Sequence, residues 1–166
     1  MEIASWSEMG RAAKADARRM ILLDTNIVVD AQNRSSPFYK SSQQIIRDAL
    51  SGDGAAINAV IFAELCAGRP EAIDDLKAEL EDALIGLFDL PSQAAPICGA
   101  AYSRYRSARR RSRGGAAPTI PLPDFFIGAH AELMGWSLAT RDTERYQRYF
   151  PNVKLIEPLA RARGGS

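Results

Sequence analysis

The chain has 166 residues, 46% hydrophobic and 25% charged, an ordinary composition for one soluble globular domain with enough length to enclose a core. A net charge of +1 excludes a polycation, so any attraction to nucleic acid has to come from local clusters of basic residues. Two cysteines, Cys66 and Cys98, exclude a disulfide framework or a cysteine zinc site and read as buried thiols in a reducing compartment. No stretch has the apolar length to cross a bilayer, and residues 1–19 lack the apolar segment of a signal peptide; the expectation is a cytoplasmic protein with no membrane partner.

Residues 1–19 are polar, with Ala12, Ala13, Ala15 and Ala17 among charges. They read as an extension, loose or weakly helical, or as the product of an early start codon with Met20 as the native beginning. From Met20 onward short apolar runs alternate with longer helical ones, the pattern of βα repeats around a parallel sheet. Met20–Leu23 is a buried strand that delivers Asp24 at its carboxyl end, and Asp30, two turns into the following helix, reads as a surface residue. Ser36-Pro37 opens a helix to Leu50, with Phe38, Ile45, Ile46 and Ala49 inward and Gly52 and Gly54 as its stop. Ala55–Asn58 is a second strand, Val60–Ala67 the helix after it, Glu71–Leu84 an amphipathic helix and Gly86–Leu90 a third strand. A helix from Pro91 to about Arg113 becomes very basic at its end, and residues 114–118 form a loop. The next helix runs from Pro123-Asp124 to Met134 with Gly135 as its C-cap. Trp136–Thr140 is a fourth strand, Asp142–Tyr149 a short helix and Val153–Ile156 a fifth strand. The folded unit therefore spans 20–158, with 159–166 as a tail and no second domain.

The carboxylates carry the functional argument. In an open parallel sheet, ligands bind beyond the carboxyl ends of the strands, where the strand order reverses. Asp24 ends the first strand, Glu64 lies in the helix after the second, Asp124 in the first turn of the helix before the fourth, and Asp142 just past Thr140 at the end of the fourth. Asp24 and Asp124 also have plain readings, as a helix cap and as an acid at a helix N-terminus. Glu64 is harder to account for, flanked by Phe62, Ala63, Leu65 and Cys66. Four acids converging at one edge repel one another, and a divalent cation with hard oxygen ligands, Mg²⁺ or Mn²⁺, relieves that repulsion. No lysine lies within these stretches, so no other counter-charge is evident. The same lack excludes a phosphoryl-accepting receiver domain, and Asn26 stands where an aspartyl phosphatase needs a second Asp.

Taken together, Ile21-Leu22-Leu23-Asp24-Thr25-Asn26, Ala63-Glu64-Leu65 with Gly68, Leu122-Pro123-Asp124 with Ile127-Gly128-Ala129-His130-Ala131, and Leu138-Ala139-Thr140-Arg141-Asp142 resemble the PIN-domain nucleases, in particular VapC-type toxins of toxin–antitoxin systems. The resemblance covers Met20 to about Pro158. It implies a three-layer α/β/α domain with a five-stranded parallel sheet, Mg²⁺-dependent endoribonuclease activity (with Mn²⁺ as substitute), a small cognate antitoxin and a homodimer. By position, Asp24, Glu64, Asp124 and Asp142 match the family's acidic quartet, Thr140 its hydroxyl residue and Asn26 the polar residue after the first Asp. Asn58 and Ile61 depart from the Ser and Thr that many relatives carry there.

The chemistry implied is hydrolysis of an RNA phosphodiester, with the metal held chiefly by Asp24 and Asp124, and Glu64 and Asp142 completing its shell. Thr140 and Asn26 would position these groups. Arg104, Arg106, Arg109, Arg110, Arg111 and Arg113 form the conspicuous basic run, suited to RNA phosphates, to an acidic antitoxin tail, or to nothing beyond a solvated helix end. His130 and Trp136 read as core residues. Two other readings stay open: a PIN-fold nuclease of RNA or DNA processing without an antitoxin, and a catalytically silent binding module of the same fold.

Overall fold

The computed structural model describes residues 19–112 and 118–161; Arg113 and nearly all of the N-terminal extension lie outside the described residues. In chain order the elements are β1 (Ile21–Leu23), α1 (Thr25–Gln32), α2 (Tyr39–Ser51), β2 (Ala55–Asn58), α3 (Ala59–Gly68), a 3₁₀ turn (Pro70–Ala72), α4 (Ile73–Asp82), β3 (Gly86–Phe88), α5 (Ala94–Arg111), α6 (Pro123–Met134), β4 (Ser137–Ala139), α7 (Thr143–Tyr149) and β5 (Leu155–Ile156). The strands form one sheet in the order β3-β2-β1-β4-β5, and every neighbouring pair is parallel. The α/β class and five-stranded sheet expected from the sequence are therefore present among the described residues.

This order creates the site. The chain steps outward from β1 through β2 to β3, then returns past β1 to lay down β4 and β5 on the other side. Right-handed crossovers in the two directions place their helices on opposite faces, and the reversal falls between β1 and β4. Leu22, Leu23, Ala56, Ile57, Leu138 and Ala139 on the three inner strands are all but sealed from solvent. Burial on both faces is why these strands are short continuous apolar runs rather than alternating ones. On the outer strand β3, Leu87 and Phe88 stay exposed.

A second packing centre joins the C-terminal helices. The Phe125 ring of α6 meets Tyr102, Tyr149 and Phe150 at centroid distances of 5.1, 5.4 and 5.9 Å. Gly128 lets α6 lie directly on Phe150, since a Cβ there would stand 2.5 Å from the ring. Gly135 ends α6 in the left-handed conformation, at φ 67°, as the sequence predicts for that cap.

Element ends differ from the sequence-based boundaries for local reasons. Helix α2 begins at Tyr39 rather than Ser36-Pro37, because Ser36 builds a turn: its hydroxyl accepts from the Phe38 amide and donates to Asp30. Phe38 accordingly leaves the core and lies under the Arg141 guanidinium, 5.2 Å from its ring centroid. Helix α5 starts at Ala94, after a turn closed by the Ala94 amide on the Pro91 carbonyl. Helix α4 ends at Asp82, and Leu84 follows with φ 58°, a backbone state that no helix continues. Cys98 is buried as expected, whereas Cys66 is only half-buried. Among the described residues no helix is long and apolar enough to cross a membrane.

His130 is structural. It is 1% exposed, and its Nδ1 lies 3.2 Å from Asn58 Nδ2, so Nδ1 is the unprotonated nitrogen that accepts. Held from behind in this way, Asn58 turns its Oδ1 to accept from the Val60 and Ile61 amides and caps α3. Burial pushes the His130 pKa down to about 4. The unfolded chain therefore takes up a proton that the folded one refuses as pH falls through about 6.5 toward 4, and stability drops across that window. The loss should reach on the order of 3 kcal/mol, and a His130→Gln variant, which keeps an acceptor for Asn58, should show a flatter Tm-versus-pH curve between pH 7 and 4. Equal slopes in the two proteins would contradict this.

Candidate active site

The switch point between β1 and β4 places Asp24 immediately beyond β1 and Thr140 immediately beyond β4, with the Asp24 amide donating to the Ala139 carbonyl at 2.9 Å. Asp24 is the most constrained group of the region, a carboxylate only 4% exposed. Thr140 Oγ1 donates to its Oδ2 at 2.6 Å, Asn26 Nδ2 donates to the same oxygen at 2.7 Å, and the Thr25 amide donates to Oδ1 at 2.8 Å. Burial raises the Asp24 pKa, the three donors pull it back, and the Glu64 charge adds a further rise; the net direction is upward.

The same side chains link Asp24 to two of the other acids. Thr140 Oγ1 also accepts from the Asp142 amide at 3.0 Å, and Asn26 Oδ1 accepts from the Arg141 amide at 3.1 Å, which fixes the turn that presents Asp142. Thr25 bridges the other way, its hydroxyl donating to the Glu64 carboxylate in a short hydrogen bond. Glu64 is half-buried, so its apolar sequence neighbours overstate its isolation.

Asp124 and Asp142 meet a third partner that the sequence reading did not identify. The Arg145 guanidinium forms an ion pair with Asp124, and its Nε lies 3.7 Å from Asp142. This corrects the expectation that the acids have no counter-charge within the chain. Next to it, the fully buried Tyr146 hydroxyl has no hydrogen-bond partner among the described residues. Its pKa lies well above the ordinary tyrosine value, first because of burial and then because Asp24, Asp142 and Glu64 all act on it, against Arg145. Acids from three parts of the chain thus act electrostatically on that one hydroxyl.

The donors present suit a hard divalent cation: carboxylate and hydroxyl oxygens, without thiolate or imidazole. The acids are nonetheless not drawn to one point, since among the described residues no three carboxylate, histidine or cysteine groups stand at the spacing of a closed metal site. Asp124 and Asp142 already have a cationic partner in Arg145, which pairs with the first and lies near the second.

The remaining expectations divide. Asp30 is buried rather than at the surface, accepting from Ser36 Oγ at 2.7 Å and pairing with Arg141 Nε at 3.1 Å. The basic run is not one uniform face. Arg104 donates to the Tyr149 carbonyl at 2.9 Å and Arg109 to the Tyr105 hydroxyl at 3.0 Å, whereas Arg110 and Arg111 are exposed and Arg106 is half-buried. Spacing could have found Arg145 and Tyr146, which stand three and four residues after Asp142 and so on its face of α7. The Thr25 bridge depends on how α1 meets α3, which no local pattern encodes.

An α/β domain with a buried carboxylate at its strand switch point and further acids on the adjoining elements is the class these features define. The chain belongs to the PIN domain family, whose model matches residues 21–151. PIN domains are generally nucleases, and those nucleases generally use divalent metal ions. No curated protein matches the chain. Among solved structures it is similar to VapBC2 from Rickettsia felis bound to a DNA fragment from their promoter, at 21% identity and a TM-score of 0.56 over 84% of this chain and 99% of that one. It is also similar to VapBC-1 from nontypeable Haemophilus influenzae, at 18% identity and a TM-score of 0.58 over 83% and 97%. A third likeness is to a toxin-antitoxin complex from Klebsiella pneumoniae, at 21% identity and a TM-score of 0.53 over 84% and 98%. Identities this low show a shared fold.

Thr140→Val removes the donor that most lowers the Asp24 pKa. In metal-free protein the Asp24 carboxyl should then titrate at a higher pH, read by carbon NMR of labelled aspartate, with a stability loss of about 1–3 kcal/mol. An unchanged or lower Asp24 titration would show that the hydrogen bond does not hold the carboxylate.

Proposed function

We propose that this chain is the toxin of a toxin–antitoxin pair, a cytoplasmic Mg²⁺-dependent endoribonuclease that Mn²⁺ can also serve. The observation that carries the reading is Asp24, a buried carboxylate held by three donors at a sheet switch point and electrostatically coupled to Glu64. Asp24 also caps α1 by accepting from the Thr25 amide, but capping alone does not call for a second acid beside a buried carboxylate. Membership of the PIN family supports a nuclease, and the likeness in fold to VapBC and other toxin–antitoxin complexes supports an antitoxin partner. A homodimer is part of the reading only as the family resemblance implies it.

In this reading Asp24 and Asp124 hold the metal, with Glu64 and Asp142 completing the shell directly or through water. When bound there, a divalent ion would supply Lewis acidity toward a phosphoryl oxygen and a water molecule. Thr140 and Asn26 keep Asp24 oriented and, through the Asp142 and Arg141 amides, fix the loop that carries Asp142. Thr25 aligns Glu64 with Asp24. Among the described residues, Arg110 and Arg111 are exposed at the end of α5 and are offered to RNA phosphates or to an acidic antitoxin segment.

Incubation with total RNA should give cleavage with Mg²⁺ and none in excess EDTA. Asp24→Asn should cut the rate by about two orders of magnitude or more while the circular dichroism spectrum stays native. Full cleavage by Asp24→Asn, or undiminished cleavage in EDTA, overturns the proposal. One observation favours a silent binding module instead: Arg145 already neutralises part of the acid set. That reading predicts RNA binding with no cleavage under any divalent ion.

For the basic helix, an Arg110→Ala/Arg111→Ala double variant should bind RNA more weakly and lower the slope of log affinity against log salt by about 1–2. RNA binding with an unchanged slope would remove these arginines from the interface.

A further inference from the structure

Arg145 makes two kinds of contact. On one side it binds Asp124 and approaches Asp142, half of the acid set at the sheet edge. On the other it lines a surface groove with Tyr105, Asp142, Glu144, Arg148 and Tyr149, and its side chain is 36% exposed, so it has somewhere to go. The groove's walls are held in place: Arg109 donates to the Tyr105 hydroxyl, Arg104 to the Tyr149 carbonyl, and the Arg148 guanidinium lies 5.5 Å from the Tyr149 ring centroid. Cations next to tyrosine rings suit a phosphodiester strand with unstacked bases.

We propose that Arg145 is an exchangeable counter-ion, which competes with the divalent cation for Asp124 and Asp142 and, when displaced, turns into the adjoining groove to contact a phosphate of the bound strand. This inference rests on the nuclease reading above and adds a positioning residue and a strand path to it. A guanidinium and a dication demand the same carboxylate lone pairs on Asp124 and Asp142, so occupation by one disfavours the other. The buried Tyr146 hydroxyl, without a hydrogen-bond partner among the described residues and within electrostatic reach of Asp24, Asp142, Glu64 and Arg145, is a polar atom that a rearrangement of Arg145 and its acids could satisfy. Because the two partners of Arg145 are a metal site and a nucleic acid, binding at each should promote binding at the other through this one side chain.

The test is a Mn²⁺ titration by calorimetry on the full chain and on Arg145→Gln and Arg145→Lys. Removing the positive charge should tighten Mn²⁺ binding on the order of tenfold, while Arg145→Lys, which keeps the charge, should stay within about threefold of the wild type. A fluorescent single-stranded RNA oligomer, its length checked on a gel, should bind the wild type more tightly with Mn²⁺ than without it. In Arg145→Gln that gain should be lost. Equal Mn²⁺ affinity in all three folded proteins, or a Mn²⁺-dependent gain in RNA affinity that survives Arg145→Gln, overturns the exchange and leaves the nuclease reading standing. Failure of Mn²⁺ to bind any of them overturns both.

Discussion

A carboxylate withdrawn from water at the end of a central strand is costly, and the neighbourhood of Asp24 is arranged around that cost. Desolvation is the largest influence on this group and pushes toward the neutral form. The compensating donors come from two places: the Thr25 amide and the Asn26 side chain in the first turn of α1, and Thr140 just beyond the neighbouring strand. The parallel pairing of β1 with β4 is what brings residue 140 against residue 24, so the sheet order and the state of the carboxylate are one fact seen at two scales.

From that centre the other acids are placed by progressively looser means. Asp142 is tied through its backbone to Thr140, and Glu64 is tied through its side chain to Thr25. Asp124 has neither link and is held by the arginine of α7 instead. The region is thus two halves, Asp24 linked to Glu64 through Thr25, and Asp124 and Asp142 sharing Arg145, with Asp24, Glu64 and Asp142 all acting on the buried Tyr146 hydroxyl. Such an arrangement is electrostatically balanced in part by Arg145.

How much of this the sequence disclosed depended on the range of the interaction. Strands buried on both faces are continuous apolar runs, and the Gly135 cap is a one-residue signal, so both were legible. The positions of the acids followed from placing them at strand ends. His130 was correctly assigned to the core by its helix and its alanine neighbours, though its role in steadying the Asn58 cap needed coordinates. Asp30 was misread because helical position alone gives no sign of the Ser36 turn and the Arg141 side chain that cover it. Arg145 was not legible because it stands outside the motifs, within which no lysine lies. The arginine that matters lies one turn past Asp142, in an otherwise ordinary surface helix.

The central claim is that the carboxylates at the β1–β4 edge act together as one cation site. Anomalous diffraction from crystals soaked in Mn²⁺ tests it directly, because the ion is located independently of activity. The account predicts a peak within coordination distance of Asp24 and Asp124, with the Arg145 guanidinium moved off both of its aspartates. A peak elsewhere on the molecule, or none at saturating Mn²⁺ with the Arg145 pairs intact, would contradict it.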